Sequence, residues 1–179
     1  MAAVAVPLAE AQRAVDRVLG DAYRVEVVGT AIVVTPGAGW SHNAVVGDLL
    51  VWLRGRVPEP LSVVTEVDVS AEPSGLSREP YWRPDLVVSS GPDDPAREWL
   101  LGREVVVAVE VVSPSNRDGG SGERYLQGRA EHGVAHGIEW LLGVDGDTVQ
   151  WWRNGRRDAD GPPWAAGLRI DRGRVARTA

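Results

Sequence analysis

The spacing of apolar residues predicts three helices in this chain. Residues 8–19 are apolar at helical intervals, and residues 41–57 form an amphipathic stretch for which Ser41 or Asn43 is placed to cap the N-terminus. Residues 124–137 repeat the helical spacing despite several glycines. Helices therefore lie near the start, in the first third and late in the chain.

The other apolar stretches have the pattern of β-strands. Residues 23–36 read as a hairpin turning at Gly29-Thr30. Residues 91–103 read as a turn that includes one helical turn, and further strands are predicted at 61–71, 81–90, 104–113, 138–145, 148–157 and 164–170. This order predicts an α/β fold with a mixed sheet flanked by helices. Residues 104–113 are apolar on both faces, as in a central strand covered by helices on both sides.

Composition limits the class of protein. The chain has 179 residues, of which 44% are hydrophobic and 25% charged, so it has enough apolar surface for a globular core. It contains no cysteine, which excludes disulfides and thiolate metal sites and fits a cytoplasmic location. No apolar run reaches the roughly 18 residues of a membrane span. The net charge of −6 argues against a general nucleic-acid binder, but it does not exclude a local basic groove.

Two carboxylates stand in apolar surroundings. Glu110 lies inside the most apolar stretch of the chain, where an uncompensated charge would cost several kcal/mol or more. Asp85 follows Pro84 in another predicted strand, and if the two strands are neighbours their carboxylates converge at one sheet edge. Because Mg²⁺ is bound by such pairs, a metal between Asp85 and Glu110 is one hypothesis. An ordinary ion pair with arginine is the other.

Several segments together resemble the Uma-two family of bacterial proteins. They are "YRVEVVGTAIVVTP", "TEVDV", "YWRPDLVV", "VVAVEVVSPSN" and "WLLGVD". The resemblance covers about residues 20–150 and implies the restriction-endonuclease-like fold of the PD-(D/E)XK nuclease superfamily. We therefore expect one such domain over residues 1–179, with its core at about 20–150 and closing strands at about 148–172.

The resemblance also implies roles for individual residues. Asp85 and Glu110 would bind Mg²⁺ or Mn²⁺, with the backbone carbonyl of Val111 as a third ligand. Glu26 matches a family glutamate that approaches the metal from the N-terminal side. Arg124 stands where the family has a catalytic lysine and would contact phosphate.

Arginine at position 124, where the family has lysine, changes the chemistry that is expected. All 19 basic residues of this chain are arginine. Arginine stays protonated in proteins, so Arg124 can stabilise a phosphate but is a poor general base. The resemblance thus implies a Mg²⁺-dependent endonuclease that hydrolyses DNA, acts as a homodimer and is weakened by this change. The alternatives are an inactive nucleic-acid or protein interaction module and a structural homo-oligomer that pairs through its Trp-rich closing strands.

Other motifs offer competing chemistry. His132 and His136 are four residues apart, a spacing that binds zinc on a helix, but the glutamate of the zinc-protease pattern is replaced by Gly133. Residues 116–124 resemble a phosphate-binding loop without its Lys-Ser/Thr pair. His42 matches a family histidine at the start of a helix, where capping or packing is the competing role.

Overall fold

The computed structural model describes residues 7–19, 23–28, 31–36, 39–71, 81–91, 99–117 and 122–176. Its helices are α1 (Leu8–Leu19), α2 (Trp40–Arg54) and α3 (Glu123–Ala135). Its strands are β1 (Tyr23–Val28), β2 (Ala31–Pro36), β3 (Ser62–Thr65), β4 (Asp68–Ser70), β5 (Tyr81–Trp82), β6 (Leu86–Ser89), β7 (Trp99–Leu101), β8 (Val105–Val111), β9 (Trp140–Asp145), β10 (Thr148–Arg153), β11 (Arg156–Asp158), β12 (Ile170–Asp171) and β13 (Arg174–Val175). None of these helices is long and apolar enough to cross a membrane.

A mixed six-stranded sheet forms the centre of the fold. Its strand order is β11-β10-β9-β8-β6-β3, with β8 and β9 parallel and the other neighbours antiparallel. The long apolar strand β8 has a partner on each side, as its sequence predicted. The predicted α/β fold with a mixed sheet is therefore confirmed.

Alternation along β8 separates the core into two layers. Val107 and Val109 pack with residues of α2 on one face, and Ala108 packs with residues of α3 on the other. Trp151 and Trp152 of β10 divide between the same two layers, so they lie on opposite faces of this strand.

Smaller units attach to this sheet. A three-stranded sheet has the order β5-β4-β7, and β1-β2 and β12-β13 form two hairpins. The buried amide of Gln12 on α1 donates to the carbonyls of Val25 and Tyr81 at 3.1 and 3.2 Å. This side chain links α1 to both β1 and β5, and so ties the N-terminal hairpin to the rest of the molecule.

Two predicted strands are each broken in the middle. Residues 61–71 divide at Glu66, whose φ of 54° is incompatible with an extended strand, and the halves β3 and β4 enter different sheets. Residues 81–90 divide at Arg83-Pro84 into β5 and β6, because proline has no N–H to give to a strand ladder. Asp85 consequently lies just before β6 and not within a strand as predicted.

Three smaller expectations also differ from the structure. Helix α2 begins at Trp40 after Gly39, which makes no side-chain cap, so the capping roles of Ser41 and Asn43 were wrong. The part of 91–103 that is described is the strand β7 followed by a 3₁₀ turn. Residues 164–170 contain mostly a 3₁₀ turn and its exit, and only Ile170 lies in a strand. The Gly29-Thr30 turn and residues 118–121 lie outside the described residues.

One glycine is required by a backbone contact and provides a test of the packing. A Cβ on Gly102 would lie 1.6 Å from the carbonyl oxygen of His136, so we expect Gly102→Ala to destabilise the protein by about 1–3 kcal/mol or more. Gly128 is the matched control, because it is exposed in α3 with open space around its Cα. Gly128→Ala should raise the free energy of unfolding by roughly 0.5–1 kcal/mol. Urea denaturation of both variants measures these changes, and equal effects would contradict the predicted clash.

Candidate active site

Asp85 is held at the end of the central sheet by the turn between β5 and β6. Arg83 in this turn makes a bidentate ion pair with Asp68, at 2.7 and 3.1 Å. The N–H of Asp85 donates to the carbonyl of Val109 at 3.0 Å, and its carboxylate accepts the N–H of Val111 at 2.8 Å. The carboxylate thus lies against the last residues of β8, beside Glu110.

His42 approaches the same carboxylate from α2. Its Nε2 lies 3.1 Å from Oδ2 of Asp85, and both side chains are buried. His42 lies in the first turn of α2, whose N-cap is Gly39. The histidine therefore contacts a candidate site residue in addition to packing at a helix start.

Glu110 is completely buried at the end of β8. Its neighbours Val109 and Val111 belong to the α2 layer, so its side chain points to the α3 side of the sheet. There one carboxylate oxygen accepts the indole N–H of Trp82 at 2.9 Å, and the other accepts the hydroxyl of Tyr125 at 2.8 Å. Burial and the negative charge of Glu110 raise the pKa of Tyr125 well above its ordinary value, which keeps the hydroxyl protonated as a donor.

Arg129 of α3 supplies positive charge to this carboxylate. Its Nε lies 3.8 Å from Oε1 of Glu110, and its Nη2 pairs with Oε2 of Glu26. Burial alone would lower the pKa of Arg129, but the carboxylates of Glu110 and Glu26 outweigh it and raise this pKa well above the ordinary value. The guanidinium also lies over the ring of Tyr125, 4.9 Å from its centroid. Arg129 thus forms an ion pair with Glu110, while metal binding between Asp85 and Glu110 stays a prediction.

The N-terminal hairpin delivers Glu26 to the same place. Glu26 is buried on β1 between Val25 and Val27, which are also buried. Its ion pair with Arg129 joins the hairpin to α3 across the end of the sheet. The structure therefore places Glu26, Asp85 and Glu110 in one region, as the sequence comparison of these segments implied.

Arg124 is placed differently from the arginine that contacts Glu110. It lies exposed in the first turn of α3, whereas Arg129 is 6% exposed.

Sequence reasoning missed Arg129, together with Tyr125 and Trp82. The available signal was helical spacing, because Tyr125 and Arg129 are four residues apart on the same side as the buried residues Leu126, Ala130 and Gly133.

Comparison with known proteins agrees with this architecture. The family described as "Putative restriction endonuclease", Uma-two, matches residues 11–162. The chain belongs to the Uma-two family. No curated protein matches it. Among solved structures, it is similar to "a putative nuclease belonging to DUF820" from Anabaena variabilis, with a TM-score of 0.60 and 16% identity, over 82% of this chain and 86% of that chain. At this identity the likeness shows a shared fold alone.

The oxygen ligands at the site suit a divalent metal ion of the Mg²⁺ type. Asp85 and Glu110 are both buried, Asp85 just before β6 and Glu110 near the end of β8, and the carbonyl of Val111 follows directly in the chain. Mg²⁺ is bound by one or two carboxylates together with water and phosphate oxygens, so this set fits it. A site made from three or more His, Cys, Asp or Glu side chains does not occur within the described part of the chain.

In this Uma-two protein, His132 of α3 and His136, which caps the C-terminus of that helix, form a packed cluster. The rings of His132 and His136 are 4.3 Å apart, and the ring of Trp82 meets that of His132 edge-on at 5.5 Å. Nδ1 of His136 lies 3.0 Å from the carbonyl oxygen of His132. With no third metal-binding side chain grouped here among the described residues, the zinc alternative has no support, and the two histidines pack against each other at the end of the helix.

Acid should destabilise the protein through His132. Burial, followed by the proximity of His136 and Arg129, lowers the pKa of His132 from 6.5 to about 3. Below pH 6.5 the unfolded chain takes up a proton that the folded chain does not, so stability should be constant above that pH and fall progressively towards pH 3. Each pKa unit corresponds to about 1.4 kcal/mol, so we expect a loss of a few kcal/mol.

Urea denaturation between pH 7 and pH 4 measures this slope. His132→Leu removes the titrating ring and should flatten the profile relative to wild type. An unchanged slope in this variant would show that another group causes the loss.

Proposed function

We propose that this Uma-two protein hydrolyses phosphodiester bonds in DNA with the help of Mg²⁺ or Mn²⁺. The observation that supports the proposal is that the buried residues Asp85 and Glu110 lie at the shared end of β6 and β8, where the carboxylate of Asp85 accepts the N–H of Val111. These carboxylates and the carbonyl of Val111 would hold the ion. A bound divalent ion would lower the pKa of a water molecule and neutralise charge on phosphate.

The residues around the carboxylates have roles that their positions support. His42 and the N–H of Val111 orient the carboxylate of Asp85, while Trp82 and Tyr125 orient that of Glu110. Arg124 is exposed at the start of α3, where its permanent positive charge can stabilise a phosphate but cannot accept a proton. Proton removal from water therefore depends on groups other than Arg124.

A second candidate function is a non-catalytic nucleic-acid or protein interaction module on the same fold. The observation in its favour is the ion pairing of Glu110 and Glu26 by Arg129, which gives the buried carboxylates a cation from the protein itself. The absence of any lysine from the chain removes the most usual proton-transfer partner of such a site.

Loss of the carboxylates should abolish DNA cleavage if the first proposal holds. We expect Asp85→Asn and Glu110→Gln each to reduce Mg²⁺-dependent cleavage of plasmid and linear DNA by at least roughly a hundredfold, because each removes charge that stabilises the transition state. Asp171→Asn, at an exposed position of β12, is the control and should retain wild-type activity. Cleavage that survives both site substitutions, or needs no divalent ion, would contradict this assignment; no cleavage by wild type would favour the second candidate.

Restoring lysine at position 124 tests the role of Arg124. If arginine there is a weakened form of a catalytic residue, Arg124→Lys should raise the cleavage rate, since an ammonium group can lose a proton more readily than a guanidinium. Arg169→Lys makes the same exchange at an exposed position elsewhere and should change nothing. A rate for Arg124→Lys no higher than that of wild type would count against the role.

The homodimer and the bacterial cytoplasmic setting implied by the family resemblance remain predictions. Sedimentation velocity on the protein used for the cleavage assay tests the first of them directly.

A further inference from the structure

The guanidinium of Arg129 bridges two buried carboxylates. Glu26 is 2% exposed and Glu110 is 0% exposed, and they come from elements far apart in the chain, β1 and β8. Arg129 pairs with Glu26 through Nη2 and faces Glu110 through Nε. A cation between two buried carboxylates is needed on physical grounds, because like charges in a protein interior repel and each alone is costly.

The contact with Glu110 depends on charge more than on hydrogen bonding. At 3.8 Å, Nε is too far from Oε1 for a hydrogen bond, while the two oxygens of Glu110 accept hydrogen bonds from Trp82 and Tyr125. Another cation of suitable size at this position would also compensate the negative charge of Glu110. Asp85 adds a third buried carboxylate near the end of β8, so negative charge is concentrated in this region.

We propose that Arg129 occupies a second cation position, between Glu26 and Glu110, that a divalent metal ion would otherwise fill. The inference rests on the proposed function in that Asp85 and Glu110 hold the first ion. Two-metal phosphodiesterases place two ions on shared carboxylates, and here Glu110 is the shared group. The protein thus binds at most one ion at this site, and its own arginine serves in place of the other.

Metal stoichiometry tests this directly and does not depend on catalysis. Mn²⁺ alone is titrated by calorimetry into wild type, Arg129→Met and Arg124→Met. Arg124→Met is the matched control, with the same substitution and charge change on the same helix but at an exposed position. We expect Arg129→Met to bind one more equivalent of Mn²⁺ than wild type, and Arg124→Met to bind the same number as wild type.

Two further variants separate cation replacement from general damage. Arg129→Lys keeps a positive charge and should retain the wild-type stoichiometry. Arg129→Met combined with Glu26→Gln removes both the cation and one of its carboxylates, so it should fold without gaining the extra equivalent. Because Arg129→Met leaves two carboxylates buried without a cation, Mn²⁺ should raise its melting temperature more than that of wild type or Arg124→Met.

The proposal is overturned if Arg129→Met binds no more Mn²⁺ than Arg124→Met, or if Mn²⁺ neither stabilises it nor restores its folding. Its outcome is independent of the cleavage assay. An extra equivalent in Arg129→Met with no cleavage by any variant would support the second cation position and reject the nuclease proposal. Cleavage by wild type, with no extra equivalent in Arg129→Met, would support the nuclease proposal and reject the second cation position.

Discussion

The burial of the Glu110 charge is the constraint that organises the functional end of this molecule. A carboxylate with no exposed surface in the central strand requires donors and a cation close to it. Trp82 and Tyr125 supply the donors and Arg129 supplies the charge. Since these partners come from β5 and α3, the compensation of one charge fixes how the small sheet and the last helix meet the central sheet.

The same requirement extends to the N-terminal hairpin. Glu26 on β1 shares the guanidinium of Arg129, and Gln12 on α1 ties that strand to β5. Elements that contribute nothing to the six-stranded sheet are thus joined to its end through polar groups that are all buried. Such a network stabilises only when its members are all present, so we regard the site as a cooperative unit and not as a set of separate ion pairs.

Arginine provides all the basic side chains of this Uma-two protein. The carboxylates of Glu110 and Glu26 raise the pKa of Arg129 well above its ordinary value, so this arginine keeps its charge although it is buried. Arg124 lies exposed at the surface, whereas Arg129 lies inside the protein. Arginine therefore carries the positive charge both at the surface and in the interior of this part of the protein.

Local sequence patterns determined much of the architecture. Periodicity was sufficient to predict α1, α3, the first hairpin and the central strand β8, because these elements bury a regular stripe or both faces of a strand. The buried carboxylate of Glu110 and the Asp85 segment were also visible from residues alone, since charge in an apolar run needs an explanation. The family resemblance added Glu26.

Only the tertiary structure decided which groups meet. The breaks at Glu66 and at Arg83-Pro84 depend on strands entering different sheets, which one-dimensional periodicity does not record. The choice of Arg129 as the partner of Glu110, with Arg124 left at the surface, depends on the rotation of α3 against the sheet. The sequence contains nineteen arginines that could pair with Glu110, and it does not show which one does. The packing of α3 brings Arg129 close to Glu110, because ion pairing depends on distance in space and not on distance along the sequence.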